Sequence, residues 1–150
     1  MSTRVQITLP DSFLYGMEIE IRSSDLNYGA HVGHDRMLTL IQDVRVSMYR
    51  SFGYGDERSF EGPVGQVIAD VAVQYKSECF LGDVLFIEIG TGASGRSGFD
   101  MYYKVTNRAT GKEIAIAKTG IVCFDYARRK VAAIPESLRR NLKLEQVSGR

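Results

Sequence analysis

The sequence contains only two cysteines, Cys79 and Cys123, and they lie far apart in the chain. Their separation matches no common metal-ligand spacing, so we expect no metal site. Each cysteine falls within a strand-like segment, where a thiol behaves as a small apolar group. We therefore interpret both as buried thiols rather than as a disulfide or a reactive nucleophile.

The chain also lacks an excess of charge and long apolar runs. Its 19 basic and 18 acidic residues give a net charge of +1, which does not favour nucleic acid as a partner. No run approaches the ~18 apolar residues that would indicate a membrane span. The N-terminal residues lack the apolar core of a signal peptide. These absences predict a cytoplasmic protein without membrane insertion.

What the sequence does contain is one long helical pattern that follows a strand-like segment. Residues 17–21 alternate as in a strand. From residue 35 to about residue 52 the apolar residues recur at helical spacing, and Gly53 and Gly55 end the pattern. The apolar face of this predicted helix consists of Met37, Leu40, Ile41, Val44, Met48 and Phe52.

Four further strand-like stretches follow, at residues 66–76, 83–92, 98–109 and 112–126, with short turn signals between them. Alternation predicts one shared face in the first stretch and another in the third. The first face would consist of Val67, Ala69, Val71, Val73 and Tyr75, and the second of Phe99, Met101, Tyr103 and Val105.

This order of elements predicts a single α+β domain over residues 1–150. One long helix would pack on the concave face of an antiparallel sheet of about five strands. The second face of the sheet and its edges would need cover, so we expect self-association as a dimer or tetramer.

The residues that lead into the helix form a recognisable pattern. They read Asp25-Leu-Asn27-Tyr-Gly-Ala30-His31-Val32-Gly33-His34-Asp-Arg-Met37, and the helix continues with Gln42-Asp-Val-Arg45. This pattern resembles the D-x-D-x-x-G-H-V-N-N-x-x-Y and E-x-A-R motifs of hotdog-fold thioesterases, in particular the 4-hydroxybenzoyl-CoA thioesterase-like branch. The resemblance covers nearly the whole chain. Three positions differ: Asn27 replaces the second Asp, Ala30 replaces the Gly, and Met37 replaces the Tyr.

The resemblance implies the hotdog fold, whose sheet wraps around the long helix, and hydrolysis of an acyl-CoA or acyl-ACP thioester to free acid and thiol without a cofactor. Such hydrolysis needs a polarised carbonyl and an activated water. The free amides at the helix start, from Gly33 onward, suit the carbonyl oxygen. Asn27 and His34 would hold the carbonyl and the water, and Asp25 would be the base. His31 would serve either in these roles or as a structural residue.

The resemblance also suggests substrate-binding residues, each of which has a structural or solvated role as its alternative. Met37 would lie beside an acyl slot, and Asp43 lies on the helix flank, where another hotdog branch carries a catalytic acid. Ser94 and Arg96 belong to a turn expected near the pantetheine arm. Arg96 and Arg128 are candidate partners for the CoA phosphates.

Two rival functions stay open at this stage. A non-catalytic acyl-thioester binding protein is favoured by Asn27, because an amide cannot act as a base. A hotdog hydratase or dehydratase would pair His31 or His34 with Asp43.

Overall fold

The computed structural model describes residues 3–145, so both ends of the predicted domain span, 1–150, lie outside the described residues. A single 3-10 turn, Ser23–Asp25, separates the first strand from the long helix. The strand and helix positions predicted from the sequence are confirmed to within a few residues. In chain order the elements are β1 (Tyr15–Glu20), α1 (His34–Ser51), β2 (Val64–Tyr75), β3 (Val84–Ser94), β4 (Gly98–Asn107), β5 (Glu113–Asp125), β6 (Lys130–Val131) and α2 (Glu136–Asn141).

The strands form one antiparallel sheet in the order β1-β3-β4-β5-β2. The two-residue β6 pairs with β5, which gives six strands where about five were predicted. A strand of this length is too short to leave an alternating pattern in the sequence. The mixed α+β class is confirmed, whereas wrapping of the sheet around α1 stays a prediction.

Helix α1 packs its apolar face on one side of the sheet. Its predicted face is buried from Met37 to Met48, and Phe52 packs partly buried against the same cluster. No helix within residues 3–145 is long and apolar enough to cross a membrane. The sheet contributes the predicted inward face of β4 to this core, namely Phe99, Met101, Tyr103 and Val105.

A buried polar network fixes α1 to the sheet midway along the helix. The Arg45 guanidinium donates from Nε to Glu57 Oε1 at 2.5 Å and from Nη1 to the Tyr103 hydroxyl at 3.1 Å. The Tyr103 hydroxyl is also hydrogen-bonded to Thr119 Oγ1 at 2.8 Å. Because buried charges must be paired to be tolerated, this network holds the helix in one position relative to β4 and β5.

The face predicted for β2 is partly wrong. A bulge between Ile68 and Asp70 shifts the register against β5. Val71, Val73 and Tyr75 still share the face that looks toward α1, opposite the buried residues of β5. Val67 pairs with Val122 on the outer face instead, because one extra residue in a strand reverses its alternation. Sequence alternation alone does not reveal such a bulge.

The N-terminal segment covers part of the outer face of the sheet, which is the face away from α1. Pro10 and the Ser12 carbonyl lie so close to Gly90 that a Cβ there would be 2.8 and 2.9 Å from them. Val5 to Thr8 continue beside Tyr102. The chain thus supplies some of the cover that we expected from self-association, but β2 remains at the edge of the sheet.

Both cysteines are buried free thiols, as predicted. Burial raises the pKa of the Cys79 thiol to about 11, with Asp83 and Asp25 adding to the effect. Burial likewise raises the pKa of Cys123 to about 12. Neither thiol is therefore suited to act as a nucleophile at neutral pH.

Candidate active site

A cavity of about 350 Å³ opens at the start of α1. Two segments form its walls: the loop that leads into α1 and the residues that end β2. They meet because α1 and β2 run in opposite directions, so that the end of β2 returns to the start of the helix. The lining residues are Asn27, His31, Val32, His34, Tyr75, Lys76, Ser77 and Glu78.

The start of α1 presents unpaired backbone donors to this region. Gly33 is the N-cap residue, has an extended backbone, and makes no side-chain capping hydrogen bond within the described residues. The first N–H groups of the helix therefore lie without intrahelical partners at the positive end of the helix dipole. Gly33 is buried, and a Cβ there would be 2.9 Å from Asp35 Oδ1 and 3.6 Å from the Asn27 side chain.

Asn27 organises the loop that faces these donors. Its Oδ1 accepts the Gly29 N–H at 2.8 Å, and its backbone pairs with His31 and Ala30 in a tight turn. With the side-chain oxygen used by the turn, the amide Nδ2 is the part left to donate to a ligand. The His31 ring packs beside Gly29, and its Nδ1 lies 3.3 Å from the Val32 carbonyl. His34 is exposed at the cavity.

Ala30 occupies a left-handed backbone conformation with φ of 63°. Its position is the one at which the resembling motif carries glycine, and only glycine takes this conformation without steric strain. We expect Ala30→Gly to raise the free energy of unfolding by about 0.5–1 kcal/mol, as measured by urea denaturation. The matched control is Ala109→Gly, an exposed turn alanine without positive φ, which should be destabilising. Equal effects of both substitutions would contradict this explanation.

Asp25 does not line the cavity that holds Asn27. It is 3% exposed, accepts the Arg36 Nε–H at 2.7 Å and accepts the Arg22 backbone N–H at 2.9 Å. Burial alone would raise the pKa of Asp25, but these two hydrogen bonds and the nearby guanidinium charges outweigh it and lower the pKa. Asp25 lines a separate cavity beside β1, together with Arg36 and Asp43.

We expect Asp25→Asn to reduce stability more than activity. Loss of the charged acceptor should lower the free energy of unfolding by about 1–3 kcal/mol at pH 7. Because folding depresses this pKa below its ordinary value of 3.8, the stabilisation is present above that pH and is lost as pH falls through the folded-state pKa. Denaturation of wild type and variant across pH 3 to 7 tests this. A stability difference that does not shrink on acidification would contradict it.

The other predicted substrate-binding residues lie outside the cavity. Met37 is buried in the core, and Asp43 lines the second cavity with Asp25. Ser94 lies in the β3–β4 region, where the buried Arg139 guanidinium reaches Ser94 Oγ at 3.5 Å and also bonds the Gly95 carbonyl. Arg96 and Arg128 are exposed. The structure thus brings together Asn27, His31 and His34 beside Gly33, and places the other predicted residues elsewhere.

Sequence reasoning missed the wall formed by Tyr75 to Glu78. Among the described residues that line the cavity, Glu78 alone carries a carboxylate. Lys76 Nζ forms an ion pair with Glu113 Oε1 at 2.7 Å. The Tyr75 hydroxyl donates to the His34 carbonyl at 2.7 Å, which ties the end of β2 to the first residue of α1. The sequence did contain a signal for this wall, namely the run of polar residues directly after β2, a strand that returns to the start of α1.

Comparison with known proteins places this chain in a family. The family model described as the thioesterase-like superfamily matches residues 21–142. The chain belongs to the thioesterase-like superfamily. This confirms the family predicted from the residues around Asp25 to Met37 and, with it, thioester hydrolysis as the predicted class of activity. No protein of curated function matches the sequence.

Solved structures with the same fold include several thioesterases. A 1,4-dihydroxy-2-naphthoyl-CoA thioesterase from Synechocystis aligns with a TM-score of 0.78 at 16% identity, over 86% of this chain and 95% of that one. A Staphylococcus aureus protein in complex with CoA aligns with a TM-score of 0.79 at 13% identity, over 97% and 94%. The 12:0-ACP thioesterase from Umbellularia californica aligns with a TM-score of 0.73 at 19% identity, over 91% and 52%. At these identities the likeness shows the shared fold.

Proposed function

We propose that this protein hydrolyses acyl-CoA thioesters to the free acid and CoA, at the cavity where β2 meets the start of α1. One observation carries the proposal. Asn27, Glu78 and two histidines line a single cavity, and one of these histidines, His34, is the first residue of α1, where the backbone amides lack intrahelical partners. Acyl transfer to water needs this combination of donors for a developing oxyanion and a proton acceptor for water.

The thioester carbonyl oxygen would bind to the amides of the first turn of α1. When water attacks the carbonyl carbon, negative charge develops on this oxygen, and the backbone N–H groups and the helix dipole stabilise it. Asn27 would donate from Nδ2 to the same oxygen or to the attacking water. Since Asn27 Oδ1 is held by Gly29, the direction of this donor is fixed before substrate binds.

Glu78 would accept the proton of the attacking water. Position 27 carries no carboxylate, and the Asp25 carboxylate is buried against Arg36 in another cavity. Glu78 supplies the missing group from the opposite wall. The tetrahedral intermediate then collapses, the C–S bond breaks, and the CoA thiolate takes up a proton. In this proposal His34 orients the substrate, His31 supports the loop, and Asp25 is structural.

The two rival functions make different demands on the site. A hydratase would need a histidine paired with Asp43, but Asp43 lies in the cavity beside β1 and both histidines line the other cavity. A binding protein without turnover is favoured only by the amide at Asn27, which cannot act as a base. Glu78 supplies a carboxylate to the same cavity, and this favours hydrolysis. Acyl-carrier-protein thioesters remain the alternative substrates, because the cavity would receive the pantetheine arm common to both carriers.

The test is a hydrolysis screen over acyl-CoA thioesters of different acyl groups, with release of free thiol as the readout. Crotonyl-CoA hydration and equilibrium binding of a non-hydrolysable CoA thioether are measured in parallel. Thiol release above the uncatalysed rate is the expected result. Binding of the thioether without thiol release from any thioester would replace hydrolysis by the binding function, and hydration of crotonyl-CoA would favour the hydratase.

We also propose that the protein works as a dimer joined along β2. In the part of the chain that the structure describes, β5 is the one strand beside β2. On the other edge, Glu57 and Glu61 bond backbone groups of Gln66 and Val64, and the strand beyond Gln66 has no strand partner there among the described residues. Ile68 and Val71 are exposed along it. A long edge with apolar side chains readily accepts a second strand. The cavity lies at the end of the same strand, so a second copy would border the site.

We therefore expect a dimer or a larger even-numbered assembly in sedimentation velocity at micromolar concentration. Val71→Lys should shift the population toward monomer, because a charge on an edge strand disfavours strand pairing. The control is Val131→Lys, an exposed valine in β6 away from that edge. A wild type that sediments only as a monomer would remove this proposal without affecting the hydrolysis proposal.

A further inference from the structure

The hydroxyl of Tyr75 is hydrogen-bonded to the backbone of α1 at the cavity. Tyr75 is the last residue of β2, and it lines the cavity together with His34. The hydroxyl donates to the His34 carbonyl at 2.7 Å. A carbonyl oxygen has two lone pairs, so it can accept from Tyr75 as well as from the N–H one helical turn later. One wall of the cavity is thereby bonded to the first peptide group of the helix in the other wall.

This peptide group also carries one of the donors proposed for the oxyanion. The His34 carbonyl and the Asp35 N–H belong to the same planar unit. Asp35 is the second residue of α1, so its N–H lacks an intrahelical partner. In a helix the C=O of a peptide group points toward the C-terminus and the N–H toward the N-terminus. Tyr75 therefore bonds the peptide from its carbonyl side and leaves the N–H directed past the helix start.

A hydrogen bond accepted by the carbonyl makes the N–H of the same peptide a better donor. Hydrogen bonds in a chain polarise one another, and here the chain would run from the Tyr75 O–H through the His34–Asp35 peptide to the thioester oxygen. The gain is largest when that oxygen carries negative charge, which is the case in the transition state. The bond to Tyr75 also fixes the orientation of the peptide before substrate binds.

A second hydrogen bond joins the two walls of the cavity, but it lies in the loop. The Val32 N–H donates to the Cys79 carbonyl at 3.1 Å. Val32 precedes Gly33, the N-cap residue, so this bond holds the loop against the end of the wall and not a peptide group of α1. The Tyr75 bond is therefore the one of the two that acts on the helix amides.

We propose that Tyr75 is a positioning residue for thioester hydrolysis, which aligns and polarises the His34–Asp35 peptide so that the Asp35 N–H stabilises the oxyanion. This inference rests on the proposed hydrolysis of acyl-CoA at this cavity. The Tyr75 hydroxyl itself does not touch the reacting atoms. It remains a hydrogen-bond donor throughout the neutral range, since burial and the nearby Asp35 carboxylate raise the pKa of Tyr75.

The first measurement is the steady-state kinetics of Tyr75→Phe, which keeps the ring and removes the hydroxyl. We expect kcat to fall by about threefold to tenfold with little change in KM, because the lost interaction acts mainly in the transition state. The effect should be smaller than that of Gly33→Val, since Tyr75 acts through an intervening peptide. Added to Gly33→Val, which covers the same amides, Tyr75→Phe should have no further effect on kcat.

The second measurement separates an effect on the oxyanion from a general effect on binding. One ligand is a CoA thioether, which develops no oxyanion, and the other is a trifluoromethyl ketone of CoA, which hydrates to a diol that resembles the tetrahedral intermediate. Tyr75→Phe should weaken inhibition by the ketone by about the same factor as it lowers kcat. Its affinity for the thioether should equal that of the wild type.

The matched control is Tyr126→Phe, which also removes a tyrosine hydroxyl that donates to a backbone carbonyl, here that of Gln66 at 2.6 Å. It should leave kcat and both affinities unchanged. Full activity of Tyr75→Phe would overturn the inference, as would an equal loss of affinity for ketone and thioether, which is what a merely structural role predicts. Either result leaves the proposed hydrolysis standing. Absence of thiol release from every thioester would instead remove the proposed function itself, and this inference with it.

Discussion

Glu78→Gln should lower kcat for thioester hydrolysis by a factor of about 10² or more, the scale expected for loss of a general base. The side chain keeps its length and its hydrogen-bonding capacity but can no longer accept a proton from water. Among the described residues that line the cavity, Glu78 is the one that carries a carboxylate. Steady-state kinetics on one good substrate, with folding checked by thermal melts, give the measurement.

Three further variants define what the Glu78 result means. Glu61→Gln changes an exposed glutamate near the opposite end of β2 and should leave kcat unchanged. Asn27→Asp removes the proposed Nδ2 donor, because an ionised carboxylate only accepts hydrogen bonds, and should lower the wild-type rate. Added to Glu78→Gln it should recover part of the loss, since it returns a carboxylate to the cavity from the other wall. If Glu78→Gln is fully active, Glu78 is not the base, and His31 or His34 takes that position in the mechanism.

Gly33→Val should reduce kcat by about 10²–10³-fold, the range seen when an oxyanion donor is lost. The backbone conformation of Gly33 is ordinary, so the effect comes from space rather than strain. A Cβ at this position would be 2.9 Å from the Asp35 carboxylate and in contact with the Asn27 side chain. The added methyl groups of valine would displace Asn27 and cover the first amides of α1.

The control for this variant is Gly55→Val, at a position where a Cβ would meet nothing within 4 Å. It should change neither kcat nor KM. Gly33→Val should keep most of its stability, because the crowded atoms belong to the exposed Asp35 side chain and to Asn27 at the cavity, not to the hydrophobic core. Unchanged turnover by Gly33→Val would show that the thioester carbonyl binds elsewhere, and the proposed oxyanion site would have to be abandoned.

The long helix, five of the six strands and the family could be predicted because each depends on short-range information. The helical spacing from Met37 to Met48 is a property of neighbouring residues, and the buried face matched it. The pattern from Asp25 to Met37 is contiguous, and it identified the family that the comparison confirmed. The same local pattern placed Asn27, His31 and His34 near the helix start, where the structure brings them together.

The separation of Asp25 from Asn27 was not predictable from alternation. Two residues apart on one strand, they would have pointed the same way. In the structure β1 ends at Glu20, the turn Ser23–Asp25 follows, and Asp25 faces Arg36 on the β1 side of the helix. The bulge in β2 is a similar case. Both depend on contacts between distant parts of the chain, which a local pattern does not contain.

By itself, then, the sequence determined which segments are helix and strand, which face of α1 is buried, and which family motif precedes it. The tertiary structure alone decided which polar side chains share a cavity. Glu78 and Tyr75 lie far from His34 in the chain, yet the Tyr75 hydroxyl bonds the His34 carbonyl. They meet because β2 runs back along α1 to the helix start, and Asp25 is excluded because an ion pair with Arg36 holds it on the other side. Periodicity gives the direction of a side chain relative to its own element, whereas a site depends on how elements are placed relative to one another.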